Sequence, residues 1–145
     1  MISLIQRVTR ASVVVDGISV GEIGHGLLAL VGVQKDDTEK NVARMLERLL
    51  GYRVFSDAEG RMNLNLRDVG GGLLLVPQFT LAADTGKGTR PSFSSAAQPD
   101  DARRHFDQLV SSARNTSVPV ATGVFGAEMF VSLTNHGPAT FILEA

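Results

Sequence analysis

Short apolar runs separated by turn-forming residues dominate the first third of the chain. The segment IQRVTRASVVV alternates loosely between apolar and polar positions, and LLALVGV at residues 27–33 is continuously apolar. Alternation is typical of a strand with one buried face, and a short continuous run is typical of a fully buried strand. Between IQRVTRASVVV and ISVGEI, the pair Asp16-Gly17 predicts a tight hairpin turn. The first third is therefore predicted to be β structure.

Two later segments have the spacing of amphipathic helices. In TEKNVARMLERLLGY the apolar side chains fall on one stripe, Asp37-Thr38 supplies N-cap residues, and Gly51 ends the helix. A second helix is predicted to begin near Pro99, a residue type favoured in the first helical turn. The remaining apolar runs predict short strands at residues 52–55, 73–76, 118–124, 129–134 and 139–143.

This order of elements predicts an α/β fold in a single mixed domain, residues 1–145. No repeat, linker or low-complexity tract divides the chain. Two helices can cover only one face of so much sheet, so we predict stacked β-sheets with two main amphipathic helices on one side, a three-layer β/β/α arrangement. An uncovered sheet edge or face favours burial by a second copy, so the protein is expected to be dimeric.

Composition excludes several kinds of site. The 145 residues contain no cysteine, which removes disulfides, thiolate nucleophiles and cysteine-bearing metal sites. His25, His105 and His136 are far apart in sequence and are expected in surface or turn positions, so no metal site is predicted. No apolar stretch has the length of a signal peptide or membrane span, and a cytoplasmic location without membrane contact is expected.

The charge balance argues against extended nucleic-acid contacts. The chain has 14 Lys and Arg against 15 Asp and Glu, so DNA binding through many phosphates is not expected. A short contact remains open, and the pairs Arg7 with Arg10 and Lys87 with Arg90 are the best candidates for phosphates. The alternative for each is a solvated surface charge, which is the commoner case.

No side chain stands out as a catalyst. Thr80 in QFTL and the serines of PSFSS are candidate hydroxyl nucleophiles, but the sequence marks no activating base near them. The triple glycine at residues 70–72 lacks the lysine and the following helix of a phosphate loop, which favours a tight strand connection. The pair Gly137-Pro138 lies between two strand-like runs, and by itself it predicts a hairpin turn.

Five separated blocks of sequence carry a family resemblance. In FSDAEGRMNLN, PQFTLAAD, GTRPSFS, TGVFGAEM and NHGPAT the chain resembles the D-aminoacyl-tRNA deacylases of bacteria and eukaryotes, the D-tyrosyl-tRNA(Tyr) deacylase family. The resemblance extends from MISLIQRVTRASV to FILEA without a large insertion or gap. It implies a homodimer that hydrolyses the ester between a D-amino acid and the 3′ terminal adenosine of tRNA, with no metal or organic cofactor.

The resemblance also assigns site residues. Gln78, Phe79 and Thr80 match a family segment that lines the catalytic site. Gly137 and Pro138 match a Gly-cis-Pro motif that enters the partner subunit's pocket and selects D over L substrates. Because an aminoacyl ester is reactive and its ribose 2′-hydroxyl can assist water, we expect the enzyme to contribute chiefly by positioning and by backbone N–H donors near Phe79 and Thr80 for the developing oxyanion. A rigid backbone wall would exclude L side chains, tolerate many D side chains and reject glycine weakly.

Three further residues match positions near the site in the family. Arg7 matches an arginine that holds the Gly-Pro motif, against the alternative of a strand-surface arginine. Phe125 and Met129 match positions near the site, although apolar packing between strands explains them equally well. Two residues depart from the family: Pro77 replaces a serine, which removes a hydroxyl and an N–H, and His136 replaces an aspartate.

These departures leave two alternatives open beside the deacylase. One is a non-catalytic dimeric protein that binds the tRNA end, for which Pro77 is the best support. The other is a Thr80-dependent esterase in which His136 acts as the base. Hydrolysis of charged tRNA by the purified protein separates the first alternative from the deacylase, and hydrolysis of an ester without a 2′-hydroxyl would favour the second.

Overall fold

The computed structural model describes all residues, 1–145, as one mixed α/β domain with two α-helices. The helices are α1, Glu39–Gly51, and α2, Pro99–Arg114, and a short 3-10 helix covers Phe79–Ala82. The strands are β1 Ile2–Val15, β2 Ile18–Ile23, β3 Gly26–Gly32, β4 Phe55–Ser56, β5 Met62–Leu64, β6 Gly72–Pro77, β7 Val120–Thr122 and β8 Phe130–Glu144.

The predicted hairpin after β1 is confirmed. Asp16 has φ 50° and Gly17 has φ 77°, and Val15 pairs with Ile18 across the turn. Positive φ at both central residues is the geometry of the type I′ turn, which matches the right-handed twist of the flanking strands. The Asp-Gly pair therefore sets the register of β1 against β2.

Both predicted helices are confirmed, and packing contributes more to α1 than its cap does. Val42, Met45, Leu49 and Leu50 are buried, and a buried side chain of this size contributes about 2 kcal/mol. The capping box at Thr38, the residue before the helix, adds about 1 kcal/mol. The apolar stripe is thus the main reason that this segment folds as a helix on the core.

The prediction of stacked sheets was wrong, because the strands form one six-stranded sheet in the order β2-β1-β3-β6-β7 with β8 along β1, besides a small β4-β5 hairpin. The 14-residue β1 pairs with β3 along its first half, with β2 along its second half, and with β8 on its other edge. One long strand therefore bridges what the sequence pattern suggested were two sheets. The parallel pairs β3-β6 and β6-β7 are connected by α1 and α2 respectively.

The sheet curls until its two ends nearly meet. A Cβ added at Gly21 in β2 would lie 2.4 Å from the carbonyl oxygen of Thr122 in β7, so only glycine permits this approach. Val8, Val13 and Leu74 belong to a core inside the curl. The buried apolar residues of both helices belong to a second core on the other face of β3 and β6, which confirms that the helices lie on one side.

The predicted turn at Gly137-Pro138 was wrong as well. Residues 130–144 form a single strand, β8, antiparallel to β1. Asn135 pairs with Val8 and Thr140 pairs with Gln6, so residues 136–139 bulge out opposite Arg7. The local turn signal is real, but β1 is long enough to pair with β8 on both sides of it.

The turn between β4 and β5 is organised by Asp57. The backbone N–H of Arg61 donates to its carboxylate at 2.9 Å, and the Asn63 side chain donates at 2.8 Å. These donors, the Arg61 N–H first, hold the pKa of Asp57 below its usual range, because they stabilise the ionised form. Neither α1 nor α2 combines the length and the apolar character that a membrane-crossing helix needs.

Candidate functional site

The segment 78–80 begins where the buried strand β6 ends. The Gln78 backbone N–H donates to the carbonyl oxygen of Val31 at 2.8 Å, which ties the end of β6 to the end of β3. Gln78 is half-buried, while Phe79 is 56% exposed and Thr80 is exposed. The segment is thus held by main chain and presents two side chains to solvent.

The Thr80 hydroxyl has no base beside it. Its hydrogen-bond partner is the Gln78 side-chain amide, whose Nε2 donates to Oγ1. An amide nitrogen cannot take a proton from a hydroxyl, so this contact positions Thr80 without activating it. Within the chain no hydrogen bond connects Thr80 to His136, the base that the esterase alternative requires.

Main-chain donors are available in the same place. Phe79 and Thr80 are the first two residues of the 3-10 helix, and the first bond of this turn runs from the Leu81 N–H to the Gln78 carbonyl at 3.1 Å. The N–H groups of the first residues of a helix have no partner inside it. Two adjacent N–H groups thus lie beside the Phe79 side chain and can donate to a developing negative charge.

An apolar cavity of about 240 Å³ adjoins Phe79. Its lining comes from the end of β6, the loop before α2, the start of α2 and the segment after β7: Pro77, Phe79, Ala97, Pro99, Ala102, Phe125 and Gly126. The sequence-predicted residues Phe79 and Phe125 therefore lie at one cavity. A larger polar groove of about 450 Å³ between β1, β2 and β8 is lined by Arg10, a candidate phosphate contact, but by none of the residues that the family resemblance assigns. We therefore assign the candidate site to the apolar cavity.

The ring of Phe125 packs against two side chains of α2. Its centroid lies 6.5 Å from that of Phe106, and the Arg103 guanidinium carbon lies over the ring, 4.8 Å from its centroid. Met129 does not line the cavity: its sulfur accepts the Val124 N–H at 3.4 Å and it packs against the core inside the curled sheet. Of these two candidates, only Phe125 has a side chain at the cavity.

Arg7 and Asn135 hold the bulge in β8. Arg7 is only 6% exposed, and its Nε donates to the carbonyl of His136 at 2.8 Å while its Nη1 donates to the carbonyl of Val54 at 2.7 Å. The Asn135 side-chain amide donates to the carbonyls of Arg7 at 3.0 Å and Ala139 at 3.3 Å. The bulge is therefore braced from both ends. Sequence reasoning missed Asn135, although it belongs to the NHGPAT block.

The bulge itself faces outward. Gly137 and Pro138 are exposed, and the peptide bond between them is cis, the form that the family resemblance implied. Neither residue lines the cavity beside Phe79. One chain thus contains two separate groups of predicted residues: Phe79 and Phe125 at the cavity, and Arg7 with Gly137-Pro138 at the bulge.

Pro77 and His136, which depart from the family pattern, and the other two histidines lie in different parts of the fold. Pro77 is buried at the end of β6, whereas the side chain of His136 lies on the exposed bulge. His25 packs edge-on against Phe55, and His105 is buried in α2, so the prediction of a surface or turn position for His105 was wrong. No group of three or more His, Asp or Glu residues is close enough to hold a metal ion.

Comparison with known proteins identifies the family of the whole chain. The family model described as D-Tyr-tRNA(Tyr) deacylase matches residues 4–144. A D-aminoacyl-tRNA deacylase of Thioalkalivibrio sulfidiphilus is 65% identical over 144 residues, covering 99% of this chain and 97% of that protein. A protein of the same name from Escherichia coli O1:K1 is 58% identical and covers 99% of both chains.

Two solved structures share the fold of this chain. The structure titled c-Myc DNA Unwinding Element Binding Protein has a TM-score of 0.95 at 36% identity and covers 100% of this chain and 99% of its own. A probable eukaryotic D-amino acid tRNA deacylase has a TM-score of 0.81 at 17% identity, covers 99% of this chain and 98% of its own, and supports the fold alone. The full-length match and the high identities show that the chain belongs to the D-Tyr-tRNA(Tyr) deacylase family and is an enzyme of that family.

Proposed function

We propose that this protein hydrolyses the ester of D-aminoacyl-tRNA, and of glycyl-tRNA, while it rejects L-aminoacyl-tRNA. The products are the free amino acid and tRNA with an unmodified 3′ terminal adenosine. The observation that carries the proposal is the braced bulge at Gly137-Pro138, which is exposed on an edge strand and does not line the chain's own cavity. We infer that the bulge contributes to the cavity of a second subunit.

The proposed chemistry uses main chain rather than a catalytic side chain. Water attacks the ester carbonyl, and the N–H groups of Phe79 and Thr80 donate to the oxyanion that forms. The tRNA 2′-hydroxyl helps to activate the water, the carbon–oxygen bond to the ribose breaks, and the ribose oxygen leaves with a proton. Pro77 has no hydroxyl, so no step of this enzyme depends on a serine at that position.

We propose that backbone atoms of Gly137-Pro138 distinguish D-aminoacyl from L-aminoacyl substrates. Two enantiomers exchange hydrogen and side chain at Cα, so a wall that cannot relax separates them whatever the side chain is. The hydrogen bonds from Arg7 and Asn135 supply that rigidity. Carbonyl oxygens of the bulge can accept from the α-ammonium of the substrate, and glycine, with no side chain, is not excluded.

A second copy of the chain is proposed to cover the bulge. β8 is paired on one side only, by β1, so its other edge is free. Phe130 is 65% exposed and Ile142 is 60% exposed on this strand. An apolar edge strand of this kind is a ready surface for self-association, and a dimer there brings each bulge to a partner.

A matched series of D-tyrosyl-, L-tyrosyl- and glycyl-tRNA tests the proposal directly. We expect fast release of D-tyrosine and measurable release of glycine, whereas L-tyrosyl-tRNA should hydrolyse only at its spontaneous rate. Cleavage of the L and D substrates at comparable rates would refute the backbone-wall account. Hydrolysis of a simple aminoacyl ester without a 2′-hydroxyl would instead favour the Thr80-dependent esterase.

Replacement of Thr80 by Ala is expected to leave substantial activity. The hydroxyl makes one neutral hydrogen bond, to Gln78, so its removal should lower kcat by less than about tenfold. Single-turnover deacylation of D-tyrosyl-tRNA measures the change, with circular dichroism to confirm folding. Near-complete loss of deacylation in a folded Thr80→Ala protein would instead favour Thr80 as the nucleophile.

A further inference from the structure

We propose that Arg103 binds a phosphate of the tRNA 3′ end at the rim of the apolar cavity. The inference rests on the proposed function and deepens it, since it names a second part of the tRNA that the site holds. Arg103 was not among the phosphate contacts predicted from the sequence, which were the pairs Arg7 with Arg10 and Lys87 with Arg90.

Arg103 lies at the edge of the cavity. Its guanidinium carbon is 4.8 Å from the centroid of Phe125, and its Nη2 is 3.8 Å from the position that a Cβ at Gly126 would occupy. Phe125 and Gly126 both line the cavity. Stacking on the ring orients the planar guanidinium and leaves its N–H groups free to donate to a ligand.

The Arg103 side chain has no acceptor in the chain. It takes part in none of the three ion pairs, whereas its neighbour Arg104 pairs with Asp101 at 3.1 Å. Asp100 and Asp107 lie about one turn away on the same helix and are exposed, yet neither forms an ion pair with Arg103. A guanidinium that is oriented, charged and unpaired fits a phosphate, which accepts two parallel N–H bonds.

The arrangement of the substrate explains why a phosphate would lie there. Phe79, which lines the same cavity, carries one of the proposed donors to the ester oxyanion. In aminoacyl-tRNA the ester is on the ribose of the terminal nucleotide, and the phosphodiester that joins this nucleotide to the RNA is the anion nearest to the ester. A substrate with its ester at Phe79 therefore brings this phosphodiester towards the rim that Arg103 occupies.

Arg103 could instead act only by holding the Phe125 ring. A ring-holding role would affect every substrate that uses the cavity. A phosphate contact affects only substrates that carry the phosphate, and it makes the rate depend on salt, because binding releases counterions from the RNA.

The test compares D-aminoacyl-tRNA with D-aminoacyl-adenosine, which has no phosphate, over a series of KCl concentrations. The quantity to compare is kcat/KM for D-aminoacyl-tRNA divided by kcat/KM for D-aminoacyl-adenosine. For Arg103→Gln we expect this ratio to fall about tenfold, mainly because KM for the tRNA rises. The slope of log kcat/KM against log salt should become shallower by about 0.7. Arg103→Lys should restore the slope, and the matched control Arg104→Gln should change neither quantity.

Equal losses on both substrates with an unchanged salt slope would overturn the phosphate contact and leave only the ring-holding role. If the wild-type protein hydrolysed neither substrate, the proposed function would fail, and binding of uncharged tRNA would still decide the inference. In that case Arg103→Gln, but not Arg104→Gln, should weaken binding about tenfold in a fluorescence anisotropy titration. Equal binding by both variants would refute it.

Discussion

The Gly137→Ala protein is expected to fold and to lose about 10²-fold in the rate of D-aminoacyl-tRNA deacylation. A Cβ at position 137 would lie 2.9 Å from Oδ1 of Asn135, closer than an ordinary contact. Asn135 would have to turn away from the carbonyls of Arg7 and Ala139, to which its amide donates. Because the proposed selection depends on a wall that cannot relax, a shift of about 1 Å in the bulge is enough for this loss.

Gly24→Ala is the matched control for this prediction. A Cβ at Gly24 meets no atom within 4 Å, and the residue is not in the left-handed region, so alanine should be harmless. Single-turnover rates on D- and L-tyrosyl-tRNA, together with thermal unfolding, measure both variants. A Gly137→Ala protein with the wild-type rate and the wild-type ratio of D to L would contradict the proposed role of the bulge.

Mixed subunits test whether the bulge serves the partner's cavity. Gly137→Ala chains can be exchanged with chains that carry a cavity variant selected for loss of activity. Phe79→Ala is the first to test, because it removes a ring that lines the cavity at an exposed position where truncation should spare the fold. If the bulge acts across the dimer, half of the dimers are mixed and each has one intact site. Activity should then recover to about a quarter of wild type. No recovery, with mixed dimers present, would place both groups in the same subunit's site.

Replacement of Arg7 by Met is expected to cost stability and activity together. Arg7 is buried, and its two charge-assisted hydrogen bonds end on the carbonyls of His136 and Val54. Methionine has a similar length but leaves both carbonyls without this donor, so the free energy of unfolding should fall by about 3 kcal/mol. Deacylation at a temperature where the variant remains folded should fall more than about tenfold, because the bulge loses one of its two braces.

Arg10→Met provides the control on the same strand. Arg10 is exposed and forms no ion pair, so its replacement should leave stability and rate close to wild type. Arg7→Lys keeps the charge without the planar guanidinium that reaches two carbonyls, and it should recover only part of the loss. Urea unfolding and single-turnover kinetics measure these effects. An Arg7→Met protein that is less stable but fully active would restrict Arg7 to a structural role.

Local patterns predicted the elements well and their assembly less well. The Asp16-Gly17 hairpin and the helices beginning at Glu39 and Pro99 depend on residues within a few positions of one another, and the structure confirms them. The sheet was harder, because no local signal shows that β1 pairs with β2, β3 and β8 together. The turn signal at Gly137-Pro138 predicted a hairpin, but in the structure it bends a strand rather than ending one.

The candidate site was likewise predicted only in part from the sequence. Phe79 and Phe125 were identified from family blocks, and the fold brings both to one cavity. Asn135 was missed, and so was Arg103, for which we propose a phosphate contact. An asparagine near a Gly-Pro pair and an arginine on a helix have no distinctive pattern until their contacts are known. Met129 was also predicted near the site; its side chain is partly buried, does not line the cavity and packs against the core inside the curled sheet.

By itself the sequence determined the local elements, the two amphipathic faces and the family to which the chain belongs. These depend on the order of residue types, which is visible in the letters alone. Only the tertiary structure decided that one curled sheet replaces two stacked ones, that Gly137-Pro138 projects from an edge strand, and that Arg7 braces it. These features depend on contacts between residues that are distant in sequence, such as Arg7 and His136, and a local pattern does not identify such partners.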